Sequence, residues 1–232
     1  MKDISIFKKE PYEKFRDYLL DILDKKGIEL VKEMLDHIMP KQNETAREHI
    51  QRRHMTMDEE EMVTEALITG QNQGLFAYGY KNPMTFDEIC DCVLDAIYDN
   101  IEQIAKEYVY GSGRFNMPID SKYNYSIGYG INSNLELVKS NTIRVMLTES
   151  DNPLDDFKLQ IDTCIPIVSN TSKDIIKNRD ALIDEYHISQ KELERYRFKQ
   201  QKRSDYKGRK EEERNKKINN IKSSEIRRTF GQ

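Results

Sequence analysis

Four histidines, His37, His49, His54 and His187, supply the side chains best suited to moving protons near neutral pH, because imidazole alone titrates there in its ordinary state. His54 stands just ahead of an acidic run, Asp58 to Glu61, and the pair Thr56 and Glu59 has capping-box spacing, predicting a helix that starts beside the ring. An imidazole in that place could act as a general acid or base. It could equally be a solvated or hydrogen-bonded ring with no chemistry. His49 lies five residues earlier, off the helical face of His54, and reads as structural or substrate-facing. His37 and His187 have no supporting partners in the sequence.

Other combinations carry less. There is no paired-cysteine zinc spacing and no His-Glu-x-x-His, so neither a metal centre nor a cofactor is expected. The carboxylates from Asp58 to Glu61 suit a helix N-terminus, where they complement its dipole. Gly111-Ser112-Gly113-Arg114 lacks the Lys-Ser/Thr and the following helix of a phosphate-binding loop. Tyr78, Tyr80 and Tyr129 could stack on nucleic-acid bases, though tyrosines in loops and strands more commonly pack half-buried.

At 232 residues the chain is long enough to bury a core. Its 37% apolar and 34% charged residues suggest a folded centre with polar appendages. The net charge of −4 hides an asymmetry: residues 170–232 carry 18 Lys/Arg against 11 Asp/Glu, and residues 1–169 carry 19 against 30. An acidic body with a basic tail excludes a nucleic-acid binder that uses its whole surface. RNA contact would come from a local patch or from the tail. Cys90, Cys92 and Cys164 are too few for a disulfide framework. No apolar run approaches membrane-spanning length, and the start, MKDISIFKKEPYEKF, lacks the apolar segment of a secretory signal. A reduced, cytoplasmic chain is the expectation; its oligomeric state is open.

The elements that must position any site read as follows. Residues 11–39 predict helix hinged at Gly27, with Phe15, Leu19, Leu23, Val31, Met34 and Ile38 on apolar stripes. Residues 43–53 predict a short helix leading into His54, and Gly74 to Pro83 a turn-rich loop. Thr85 with Glu88 opens the strongest helix, whose stripe runs from Phe86 through Ile97 to Tyr108. After Gly111 the period changes. Ile127-Gly128-Tyr129-Gly130-Ile131 predicts a strand with a bulge or close backbone approach. Thr142 to Thr148 predicts a half-buried strand centred on Arg144, and in the last strand Phe157, Leu159, Ile161, Thr163 and Ile165 should share one face. Helices first and antiparallel strands after them make an α+β pattern. Residues 1–41 form a helical lobe in this reading, 42–168 the central domain, and 169–232 a charged, helix-compatible, partly flexible extension.

One order of features runs through the central domain. His49 and His54 precede an acidic helix, Thr85-Phe86 opens a long helix, and Gly128-Tyr129-Gly130 follows. Ile143-Arg144-Val145-Met146-Leu147 comes next, then Thr163-Cys164-Ile165-Pro166. This order resembles the ribonuclease-A-like toxin domains of bacterial contact-dependent growth inhibition and other polymorphic toxin systems, over about half the chain. The resemblance implies a small antiparallel sheet of ribonuclease-A type. It also implies a metal-independent endoribonuclease, with RNA as substrate and a cognate immunity protein or antitoxin as partner. It carries active-site roles onto His54 and Thr163. His54 would take the 2′-hydroxyl proton, and Thr163 would donate its hydroxyl to a phosphate oxygen. His49, Arg53, Lys81 and Arg144 are candidate substrate contacts. Two positions depart from the pattern: Glu65 stands where the family has arginine, and Ile165 where it has tyrosine. One lost charge-assisted donor removes about 2.7–4 kcal/mol of transition-state stabilisation. The alternative is therefore a catalytically inactive relative, an interaction or RNA-binding module of a phage or mobile element.

Overall fold

The computed structural model describes residues 10–168, apart from 40–43, 70–72, 80–81, 133, 153–154 and 156, together with residue 194. The chain divides into two units, Met1–Arg179 and Asp180–Gln232; the elements below belong to the first. The expected extension beyond residue 168 lies outside the described residues, residue 194 excepted.

Helix α1 (Pro11–Lys26) starts on a Glu10/Glu13 capping box and stops at Gly27, whose φ of +55° turns the chain into α2 (Ile28–Leu35). The expected helix through residue 39 ends early. Asp36 caps α2, and the His37 ring donates from Nδ1 to the Met34 carbonyl at 3.1 Å, satisfying a last-turn acceptor in place of another helical amide. Strand β1 (Ile38–Met39) then pairs with β2 (Glu44–Thr45). Thr45 and Glu48 form a capping box that starts α3 (Ala46–His54), so His54 is the last residue of a helix.

Helix α4 (Glu59–Thr69) follows, capped by Asp58 rather than by Thr56 as the spacing predicts. The Glu61 amide donates to Asp58 at 2.8 Å, and the Asp58 amide to Glu61 at 3.2 Å. The Thr56 hydroxyl is already engaged, donating to the Arg52 carbonyl at the end of α3. The stretch expected as loop holds two strands, β3 (Gly74–Gly79) and β4 (Asn82–Pro83).

Helix α5 (Phe86–Tyr110) is built as the sequence predicts, on the Thr85/Glu88 box. Its buried stripe includes Ile89, Cys90, Val93, Ile97 and Ile104. Strands β5 (Asn116–Lys122), β6 (Gly128–Ile131), β7 (Leu137–Ser140), β8 (Thr142–Glu149) and β9 (Leu159–Ile167) complete the unit. All described strand pairs are antiparallel. One sheet has the order β5-β8-β9 and another the order β4-β3-β6-β7. This is an α+β fold. Its main core joins the α5 stripe and the buried residues of α1 and α2 to Met117, Ile119, Val145, Leu147, Ile161 and Cys164 of the first sheet. Each fully buried aliphatic side chain there contributes roughly 1.5–3 kcal/mol.

Strand β9 corrects one expectation. Met146 pairs with Thr163 but Leu147 pairs with Ile161, leaving Asp162 as an extra residue. That bulge reverses the alternation. Leu159, Ile161 and then Cys164 face the core, while Thr163 and Ile165 turn to the opposite face, opposite Met146 and Arg144.

Candidate active site

The two distant segments singled out by the sequence meet where α3 and β3 pack on β9. At the C-terminus of α3, His54 is 5% exposed, and its Nδ1–H donates to the Gly74 carbonyl at 2.9 Å. A carbonyl can only accept, so this bond fixes the tautomer and leaves Nε2 with its lone pair. Gly74 is pressed against β9: a Cβ there would lie 2.1 Å from the Pro166 carbonyl oxygen and 2.9 Å from Ile165 Cγ1. Gly128 on β6 is also crowded, a Cβ there lying 2.4 Å from the Leu75 carbonyl oxygen and 2.7 Å from Pro166 Cγ, the close approach that the glycines of that strand predict. Glycine at position 74 is what lets the strand carrying the histidine's acceptor reach the strand carrying Thr163.

Burial dominates the His54 environment and pushes its pKa down to about 3; the Gly74 bond opposes this, and His49, Arg53 and Arg52 push further down. The ring is neutral at physiological pH. His49 contacts it edge-on, ring centroids 5.5 Å apart. His49 is itself lowered, first by burial, and donates from Nδ1 to Glu44 at 3.1 Å. Glu44 also takes the Arg52 guanidinium, the main reason its pKa falls to about 2. Arg53 is held by Glu65 at 2.7 Å, a contact from α3 to α4. On the outer face of the sheet Arg144 forms a two-pronged pair with Asp120, both bonds 2.7 Å. Lys81 lies outside the described residues, as do Tyr80 and His187.

Thr163 lies two residues before Ile165, on the same strand face. Its hydroxyl is buried and has no hydrogen-bond partner among the described residues. A buried hydroxyl without a partner costs about 1–3 kcal/mol, and none of the described residues accepts from this one. The bulge that turns Thr163 outward is anchored. Asp162 accepts from Thr148 at 3.0 Å and meets the His37 ring at 3.3 Å. His37 therefore has partners that its sequence surroundings do not reveal. Burial pushes its pKa down, but the Asp162 and Met34 acceptors outweigh burial and the net shift is upward.

An open groove of about 520 Å³ runs over the other side of α3, lined by Glu44, Glu48, Gln51, Arg52 and Thr56. It touches neither His54 nor Thr163. Sequence reasoning missed Gly74 and Glu44 as parts of this region. Only the glycine spacing could have pointed to one of them, since a backbone acceptor twenty residues away leaves no side-chain signal. The three cysteines are free and buried. No described helix is long and apolar enough to cross a membrane.

No protein-family model matches the chain, and no curated protein matches it. Among solved structures, a chain from the crystal structure of a CdiA-CT/CdiI complex of Y. kristensenii 33638 is similar. The likeness covers 52% of this chain and 99% of that one, at 20% identity and a TM-score of 0.41.

Proposed function

We propose that this chain is a toxin-type, metal-independent endoribonuclease of ribonuclease-A-like architecture, with His54 and Thr163 in its site. The observation that carries this reading is the oriented, neutral imidazole of His54 on the Gly74 carbonyl, beside the strand that carries the buried hydroxyl of Thr163, which has no partner among the described residues.

His54 Nε2 takes the proton of a ribose 2′-hydroxyl, whose oxygen attacks the adjacent phosphorus. The bond from phosphorus to the 5′-oxygen breaks, that oxygen takes a proton from solvent water, and a 2′,3′-cyclic phosphate and a 5′-hydroxyl are left; His54 returns its proton to solvent. Thr163 donates to a non-bridging oxygen as charge builds. DNA, without the 2′-hydroxyl, is inert. A base with a pKa near 3 is weak, but a bound phosphodiester places negative charge beside the ring and raises its proton affinity. Arg53 and Arg144 are already paired with carboxylates, so stabilisation rests on neutral donors. The helices of residues 1–41 and the basic extension of 169–232 serve delivery, docking or RNA capture. The target is cytoplasmic RNA, and a cognate immunity protein or antitoxin holds the activity in check.

A second reading, a non-catalytic relative, is favoured by the Arg53–Glu65 pair and the burial of His54. The test is end-labelled RNA with the full chain in EDTA. The nuclease reading expects 2′,3′-cyclic phosphate ends and a loss of about 10²–10⁴-fold in His54→Ala. RNA left intact at high protein concentration supports the non-catalytic relative.

A further inference from the structure

Away from this junction, three tyrosines gather beside the exposed face of α5. Tyr78 of β3 is 38% exposed and Tyr125 of the β5–β6 loop 48%. Half-buried Tyr123 lies between the loop and the helix, its ring centroid 5.3 Å from that of Tyr125 and its hydroxyl donating to the Cys92 carbonyl at 2.9 Å. Tyr78 hydrogen-bonds to Glu88 on the first turn of α5.

Asp91, Asp95 and Asp99 are exposed at four-residue steps along the same helix. Like charges at that spacing oppose one another, and burial followed by Asp99 and Asp91 raises the Asp95 pKa. No described lysine or arginine pairs with Asp91, Asp95 or Asp99. This contrasts with Asp87 on the first turn, which Lys32 neutralises at 3.0 Å. Exposed ring faces next to uncompensated carboxylates attract a cation twice over, through the rings' quadrupoles and through charge. Tyrosines of this kind are enriched where proteins meet.

We propose that Tyr78, Tyr123 and Tyr125, with Asp91 and Asp95, form a docking face for a protein partner that lays arginine or lysine side chains on the exposed ring faces beside the carboxylates. The charge decides the class of occupant, because carboxylates repel a phosphate backbone and complement a basic protein surface. The face is independent of the ribonuclease reading.

The test is titration calorimetry of the full chain with an octa-arginine peptide at physiological salt. A double variant, Tyr78→Ala with Tyr125→Ala, should bind about tenfold more weakly. Asp91→Asn with Asp95→Asn should weaken binding similarly, and Tyr125→Phe should retain it. Tyr110→Ala, an exposed tyrosine at the far end of α5, should bind as wild type. The proposal is overturned if the double tyrosine variant binds as tightly as wild type, or if Tyr110→Ala loses as much. It is overturned equally if single-stranded RNA, and not the peptide, binds in a tyrosine-dependent way.

Discussion

Around His54 the described cations stand against carboxylates: Arg53 on Glu65 and Arg52 on Glu44. Along α5 the reverse holds, with Asp91 and Asp95 exposed beside tyrosine rings and no described cation to answer them. In the first region the charges are paired and the His54 ring is buried, so on the proposed reading its chemistry comes from an oriented neutral ring and a hydroxyl. The second is wet and negative, so its work is attraction. One acidic body thus holds a site that hides its charge and a face that displays it.

The largest test of the difference is acid. The folded-state pKa of His54 lies below its unfolded value, so the unfolded chain binds the extra proton as pH falls below about 6.5. Stability is fully present above that pH and is lost down to about 3, by roughly 4–5 kcal/mol at 1.36 kcal/mol per unit. Urea unfolding between pH 7 and 4 should show this slope, and His54→Ala should lack most of it. His37 runs the other way. Its raised pKa contributes stability below about 6.5 that fades as pH rises through the folded value, so His37→Asn should steepen the acid slope.

A smaller test separates function from stability at Thr163. Thr163→Val removes the unpartnered hydroxyl and should leave the fold unchanged or more stable by about 1 kcal/mol. The same change should slow RNA cleavage about tenfold or more. A variant that loses stability but keeps cleavage would mean that the hydroxyl only packs. The smallest effect belongs to the tyrosine face. Asp95→Asn relieves two like-charge neighbours and should stabilise by about 0.2–0.5 kcal/mol for each, read as a higher urea midpoint.

The parts of this arrangement that were legible are those whose signals are local. The α5 stripe and its Thr85/Glu88 box lie within one helix, and β8 alternates Ile143, Val145 and Leu147 as a half-buried strand must. Strand β3 gives little local signal, because Gly74-Leu-Phe-Ala-Tyr-Gly79 has glycine ends and no clean alternation. Strand β5 alternates cleanly but carries Pro118, which an edge strand tolerates on its outward side. The face of Thr163 was invisible for another reason. One extra residue at Asp162 reverses the parity, and only pairing with β8 reveals it. Likewise His54 was found as a residue, but its acceptor is a backbone carbonyl that no side chain announces.

The most direct measurement is the nitrogen NMR spectrum of the His54 ring followed from pH 8 to pH 4. A ring held on the Gly74 carbonyl in a dry junction should remain neutral throughout, protonated at Nδ1 alone. A ring that carries its proton on Nε2, or that titrates near 6.5, would contradict the site described for this chain.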